Sequence, residues 1–195
     1  MLARAWPFIV AECRRVLGSE LHYQAVVYYC LRLHGEVPLE QLGMNVKMWI
    51  DNPVSELFRQ LDLKKHEHYR GGFEPIPDVC LFSTRVEGDW RRRKRKETLE
   101  TLLLAIEIKA SERANSRLGP GEIIRDIMKV AAHREEAEAR GSSFSPVVMV
   151  IDTAPEHSEQ MTFYGLRESE ARAREVPVGF LYVSPSDEIN TLPLA

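Results

Sequence analysis

Asp78, Glu107 and Lys109 are the residues of this chain whose types and spacing could do chemistry together. Glu107 and Lys109 stand two apart near the end of Leu102-Leu103-Leu104-Ala105-Ile106-Glu107-Ile108-Lys109-Ala110. Successive side chains of a strand alternate faces, so the two charges emerge on one side. Leu104, Ile106 and Ile108 point the other way, while Leu103 and Ala105 complete an apolar start on the charged face. Charges at the end of so apolar a strand require a partner, water or a metal. A second apolar stretch, Pro77-Asp78-Val79-Cys80-Leu81-Phe82, begins with a lone carboxylate. Asp followed by Glu-x-Lys on the next strand is a metal-dependent phosphodiesterase arrangement. Magnesium keeps several of its waters, so Asp78, Glu107 and the backbone carbonyl of Ile108 are a sufficient set of protein ligands. Such a metal binds a non-bridging phosphate oxygen and supplies hydroxide near neutral pH. Lys109 beside it would orient or deprotonate the attacking water and balance the charge of the pentavalent phosphate.

A blander reading competes: Glu107 and Lys109 as a structural ion pair, with Asp78 capping a loop. Other residues divide in the same way. Glu20 opens a largely apolar helix, where the helix dipole favours a carboxylate whatever its function. Arg125, Asp126, Lys129 and His133 follow the central strand on a helix, and a solvated face accounts for them as well as a site does. The six cations Arg91-Arg92-Arg93-Lys94-Arg95-Lys96 lie between the two acidic strands. A solvated loop or a targeting signal explains such a run. Its place in a connection between two site strands lets it also grip phosphates. His66-Glu67-His68 lacks a third ligand and reads as a loop.

Pro77-Asp78 and Glu107-Ile108-Lys109 resemble the PD-(D/E)XK nuclease superfamily, the restriction-endonuclease-like fold. The order of elements resembles it over most of the chain: helix, strand, Asp strand, Glu-x-Lys strand, helix, strand. The resemblance implies a nuclease, a hydrolase using Mg²⁺ or Mn²⁺, and leaves endonuclease and exonuclease both open. Asp78, Glu107 and Lys109 would then be catalytic, with DNA a readier substrate than RNA and a homodimer compatible with the pattern. It also implies that Glu20, on the first core helix, completes the acidic cluster, and that Lys129 holds the auxiliary position on the helix after the central strand. The alternative is a non-catalytic nucleic-acid-binding or assembly module on the same fold.

The elements that must position these residues follow from patterning. At 195 residues the chain suits one α/β domain, residues 1–195, with a basic insertion at about 86–98. Apolar content of 44% and charged content of 28% describe an ordinary globular protein, and a net charge of −3 excludes coating of nucleic acid by bulk charge. No apolar run approaches a membrane span. Arg4, Pro7 and Glu12 argue against a signal peptide. Cys13, Cys30 and Cys80 read as reduced, buried thiols, so a cytoplasmic location is expected. Residues 3–34 read as two helices, divided at Gly18-Ser19, with Ser19 as N-cap of the second. Strands are expected at Val46–Ile50, Pro77–Phe82, Leu102–Ala110, Pro146–Asp152 and Val178–Val183. Helices are expected at Val54–Leu63, Glu122–Arg140 and Glu156–Glu175, with a polar loop over residues 110–121 and an inconsequential tail from Ser184. Alternation of strand and helix toward the C-terminus predicts parallel crossovers and a mixed central sheet flanked by helices.

Overall fold

The computed structural model describes residues 1–86, 88–89 and 96–192, apart from the side chain of Lys96. Two helices, α1 (Leu2–Cys13) and α2 (Glu20–Leu33), precede the first strand β1 (Leu42–Met44). A two-stranded ribbon, β2 (Ile50–Asp51) and β3 (Gly72–Phe73), brackets α3 (Glu56–Leu63). Then come β4 (Val79–Phe82), α4 (Lys96–Glu100), β5 (Leu102–Ala110), α5 (Pro120–Glu138) and β6 (Ser145–Ile151). The chain closes with α6 (Phe163–Glu175), β7 (Gly179–Val183) and β8 (Glu188–Asn190).

The main sheet has six strands in the order β1-β4-β5-β6-β7-β8. The β1–β4, β4–β5 and β7–β8 pairs are antiparallel, while β5, β6 and β7 run parallel. The parallel part needs covered crossovers, and α5 and α6 supply them. The molecule is therefore a single α/β domain with a mixed sheet. On one face Leu104, Ile106, Ile108, Val147, Met149 and Leu181 pack against α1 and α2 through Ala5, Ile9, Tyr23 and Val27. The opposite face carries two smaller clusters. Cys80, Phe82 and Ala105 meet Phe58 of α3, while Val148, Val150 and Phe180 meet Ile123 and Ile127 of α5. Among the described residues no helix is long and apolar enough to cross a membrane.

Four sequence expectations require correction. Val46–Ile50 is not a strand: only Ile50 enters one, and the edge strand of the main sheet is Leu42–Met44 instead. Val46, Met48 and Ile50 are indeed buried in alternation, but alternation reports burial, not a partner. Asn45, at φ +51°, turns the chain out of the sheet before them. The helix expected from Glu156 begins at Phe163, where the Thr162 hydroxyl accepts the Gly165 amide at 3.0 Å. The tail from Ser184 matters, since β8 within it completes the sheet edge beside β7. The apolar start of the charged face is half right: Ala105 is buried, whereas Leu103 is exposed.

Candidate active site

β5 is the spine of the site because it carries Glu107 and Lys109 and joins the antiparallel β1-β4 side of the sheet to the parallel β6-β7 side. Its last register with β4 is Val79↔Ile106. Continuing that register one step places Asp78 opposite Glu107. Ile108 then lies past the end of β4, and its amide, free of that ladder, donates to Asp78 Oδ2 at 2.6 Å. The other oxygen, Oδ1, accepts from Gln24 Nε2 of α2 at 2.7 Å. Gln24 is in turn fixed by Asn45 Nδ2, 3.2 Å from its Oε1. Asp78 is thus buried and held at both oxygens by amides.

Opposed like charges on neighbouring strands destabilise a sheet, and Asp78 is one of the charges that raise the Glu107 carboxyl. Burial, above all, pushes Asp78 up to about 6, with Glu20 and Asp126 adding to it and the Ile108 amide and Lys109 opposing it. Glu107 is pushed up to about 8, first by burial and next by Asp78 and Asp126, against Lys129 and Lys109.

Lys109 does not pair with Glu107, so the structural ion pair that the spacing allows is not formed. Its Nζ lies 3.0 Å from Glu20 Oε2 and 3.3 Å from Asp126 Oδ2. Burial would lower the ammonium's pKa, but Asp126 and Glu20 outweigh it and hold Lys109 above its ordinary value. The raised value favours the ammonium at neutral pH, so of the two roles expected of Lys109, orienting the attacking water suits it better than deprotonating that water. Glu20 sits at the first turn of α2, where its amide is capped by Glu112 Oε2 at 2.9 Å. Lys129 bonds Asp126 Oδ1 at 2.8 Å. It also lines, with Glu107, Pro75, Ile76 and His133, a cavity of about 220 Å³.

All of Asp78, Glu107, Ile108, Lys109, Glu20 and Lys129 therefore converge. Of the six cations, Arg91–Arg95 lie outside the described residues. The backbone of Lys96 begins α4. His66 and His68 share a short turn, with rings 4.9 Å apart and the His68 amide donating to His66 Nδ1. The three cysteines are free and buried.

Sequence reasoning missed Gln24 and Asn45 and took Asp126 only as a neighbour of Lys129. Asp126 is a buried carboxylate between two lysines, and among the described residues its Oδ2 has no hydrogen bond of good geometry besides the ion pair. Gln24 stands four residues after Glu20, on the same helix face, and a polar pair at that spacing on an apolar helix was the available signal. His133 is buried, its Nε2 has no hydrogen-bond partner among the described residues, and burial drives its pKa down to about 3, so it is neutral.

Among the described residues no three His, Cys, Asp or Glu side chains group so as to hold a metal by themselves. The side-chain ligands on offer are two carboxylates on adjacent strands. Two hard oxygen donors suit magnesium, which leaves the rest of its shell to backbone oxygen, water and substrate. Comparison with protein-family models, curated proteins and solved structures returns no match for this chain.

Proposed function

We propose that this protein is a metal-dependent nuclease with a restriction-endonuclease-like core, hydrolysing phosphodiester bonds of DNA in preference to RNA. The observation that carries the reading is the cross-strand opposition of Asp78 and Glu107, with the Lys109 ammonium fixed beside them by Glu20 and Asp126. The antiparallel run β1-β4-β5 followed by α5 and the parallel β6 supports the core assignment.

Asp78 and Glu107, with the carbonyl of Ile108, would hold Mg²⁺ or Mn²⁺. Bound there, the metal supplies a Lewis acid for the phosphate and a water acidic enough to ionise near neutral pH. The chain's own contribution is electrostatic and positional. Gln24 and the Ile108 amide fix the Asp78 carboxylate, so its geometry is set before substrate arrives. Lys109 presents a charged donor to the developing oxyanion and aligns the attacking water without needing to lose its own proton. Glu20 and Asp126 keep that ammonium from swinging onto the carboxylates opposite. Lys129 offsets part of the charge that Asp126 adds.

The test is incubation of the pure protein with single- and double-stranded DNA and RNA, in Mg²⁺, in Mn²⁺ and in EDTA. Cleavage that EDTA stops, and that Glu107→Gln and Lys109→Met abolish, is the expected result. Absence of metal-dependent cleavage on every substrate would refute the enzyme and leave a binding module on this fold.

A further inference from the structure

The residues around the site form a trough rather than an isolated pocket. A cavity of about 270 Å³ is lined by the cations Lys109, Arg113 and Arg117 and by the carboxylates Glu20, Glu112 and Glu122. It shares Ser111, Glu112 and Arg113 with a second cavity of about 470 Å³ that extends to Ala154 and Pro155. Both lie where the parallel strands β5 and β6 end, the edge at which open α/β sheets take their ligands.

The loops on that edge are tied to one another. Asp152, fully buried, accepts from Ser111 Oγ, from the Met161 amide at 2.7 Å and from Tyr182 Oη at 2.9 Å. Arg117 Nε donates to the Ser158 carbonyl at 3.1 Å. The start of α6 is pressed on the start of α5: a Cβ added at Gly165 would stand 3.3 Å from Pro120 Cδ. The loop after β5 and the first turn of α6 are therefore one continuous border.

On that border stand Phe163 and Tyr164, the first two residues of α6, with relative exposures of 74% and 77%. These exceed the exposure of every other large apolar side chain among the described residues. Two neighbouring rings left this open carry a hydration cost that packing could have removed. The Phe163 ring is backed by Arg167, whose Cζ is 5.2 Å from the ring centroid and whose Nη1 is paired with Glu170 Oε2 at 2.7 Å. Beside the trough, the exposed Arg113 guanidinium has no ion pair or side-chain hydrogen bond among the described residues. Rings for base faces and an unengaged guanidinium, that of Arg113, for phosphates are the two components of a single-strand binding surface.

We propose that Phe163 and Tyr164 are a base-stacking platform and that the substrate of this site is single-stranded nucleic acid, or a single-stranded segment of a duplex. This rests on the nuclease reading for its site and specifies which polynucleotide reaches it. A closed duplex hides its base faces in its own stack and offers the rings nothing to stack upon. A strand with bases splayed out offers one face per ring while its backbone lies along Arg113 and Lys109.

The experiment compares the parent with Phe163→Ala/Tyr164→Ala, using fluorescently labelled oligothymidylate and a blunt duplex of the same length, in EDTA for binding and in Mg²⁺ for cleavage. The parent should bind the single strand at least ~10-fold more tightly than the duplex. The double alanine variant should lose about 10-fold or more of single-strand affinity, while Tyr164→Phe, which keeps the ring, should keep most of it. Because both rings are exposed, the variant's melting temperature should match the parent's. Single-strand affinity unchanged in the double variant, or a parent that prefers the duplex, overturns the platform while EDTA-sensitive cleavage leaves the nuclease reading standing. Ring-dependent single-strand binding without any metal-dependent cleavage supports the platform and sinks the nuclease instead.

Discussion

Glu107→Gln is the cleanest perturbation of the proposed metal site. Asp78→Asn would set a new N–H donor against Gln24 or Ile108, both of which already donate to Asp78, so it mixes charge removal with a broken hydrogen bond. Among the described residues Glu107 makes no such bond, and its amide analogue removes charge with little else. The Glu107 carboxyl is pushed from 4.5 up to about 8. Below about pH 4 it is protonated both folded and unfolded, so the change should leave stability nearly unaltered. Between about 4.5 and 8 the unfolded chain gives up this proton while the folded protein keeps it, so the parent's stability falls as pH rises. Above 8 the loss is complete. A rise of roughly three and a half pH units sets an upper limit of ~5 kcal/mol at about 1.4 kcal/mol per unit. Part of the Glu107 side chain reaches solvent, and screening there reduces the expected difference to about 2 kcal/mol. For a chain of this size that is ~4–8 °C in melting temperature. Melts of parent and Glu107→Gln from pH 4 to 9 should therefore converge at acid pH and separate above pH 7, the variant melting higher. Saturating Mn²⁺ should reverse the order. It stabilises the parent by RT ln(1 + [L]/Kd), about 2.7 kcal/mol at a hundredfold excess over Kd, and the variant far less. Parallel pH curves together with equal metal shifts in the two proteins would refute the opposition of Asp78 and Glu107 as a cation site.

Lys109→Met should abolish cleavage yet preserve the metal-dependent rise in melting temperature, at a cost of about 1–3 kcal/mol, since Lys129 remains to partner Asp126; retained turnover would remove Lys109 from the reaction. Asp126→Asn frees Lys109 on one side, and steady-state kinetics should show kcat reduced with KM little changed; a KM effect alone would make Asp126 a binding residue. Replacing Arg91–Lys96 by Ser should flatten the log–log salt dependence of nucleic-acid binding by about 0.7–0.9 per lost phosphate contact, and an unchanged slope would assign the run to another role. His133, held neutral by burial, opposes folding as pH falls from 6.5 toward 3 because the unfolded chain takes up its proton first; His133→Phe should lessen acid destabilisation in that window, read by melts at pH 4 and 7.

β5 was legible because its alternation, its length and its two charges all say the same thing, and the helix α5 after it carries a clear apolar stripe. The edge strands were not. Leu42–Met44 and Glu188–Asn190 are three residues long, too short for a period to register, and their strand character comes from the neighbour they pair with. Periodicity at Val46, Met48 and Ile50 misled for the complementary reason: an irregular segment laid across a core buries alternate residues too. In the site, the residues that bear the proposed chemistry were readable from type and spacing. Those that hold them were less so. Gln24 and Asn45 act through long-range contacts with Asp78, and a neutral amide on a helix carries no mark of the carboxylate it will meet.

Asp126 shows why the site must be read as one electrostatic unit. Four carboxylates, Glu20, Asp78, Glu107 and Asp126, share the cleft with two ammonium groups, Lys109 and Lys129. Fully ionised, the group carries two uncompensated negative charges, which would repel the polyanionic substrate of the proposed nuclease. The lysines cannot cancel them, because each is already bound to Asp126 and Lys109 is shared with Glu20 as well. The excess is left on the opposed pair Asp78 and Glu107, whose pKa values are raised first by burial and further by neighbouring carboxylates, so that without a cation the folded protein favours their protonated forms. On the proposed reading, a divalent ion at that pair would supply the missing two charges, displace protons held there and let the polyanion approach. Metal uptake should therefore release protons near pH 7 in the parent and fewer in Glu107→Gln. Calorimetric titration of Mn²⁺ into buffers of different ionisation enthalpy measures that number directly. A parent that binds Mn²⁺ with no proton release would show that the ion sits elsewhere.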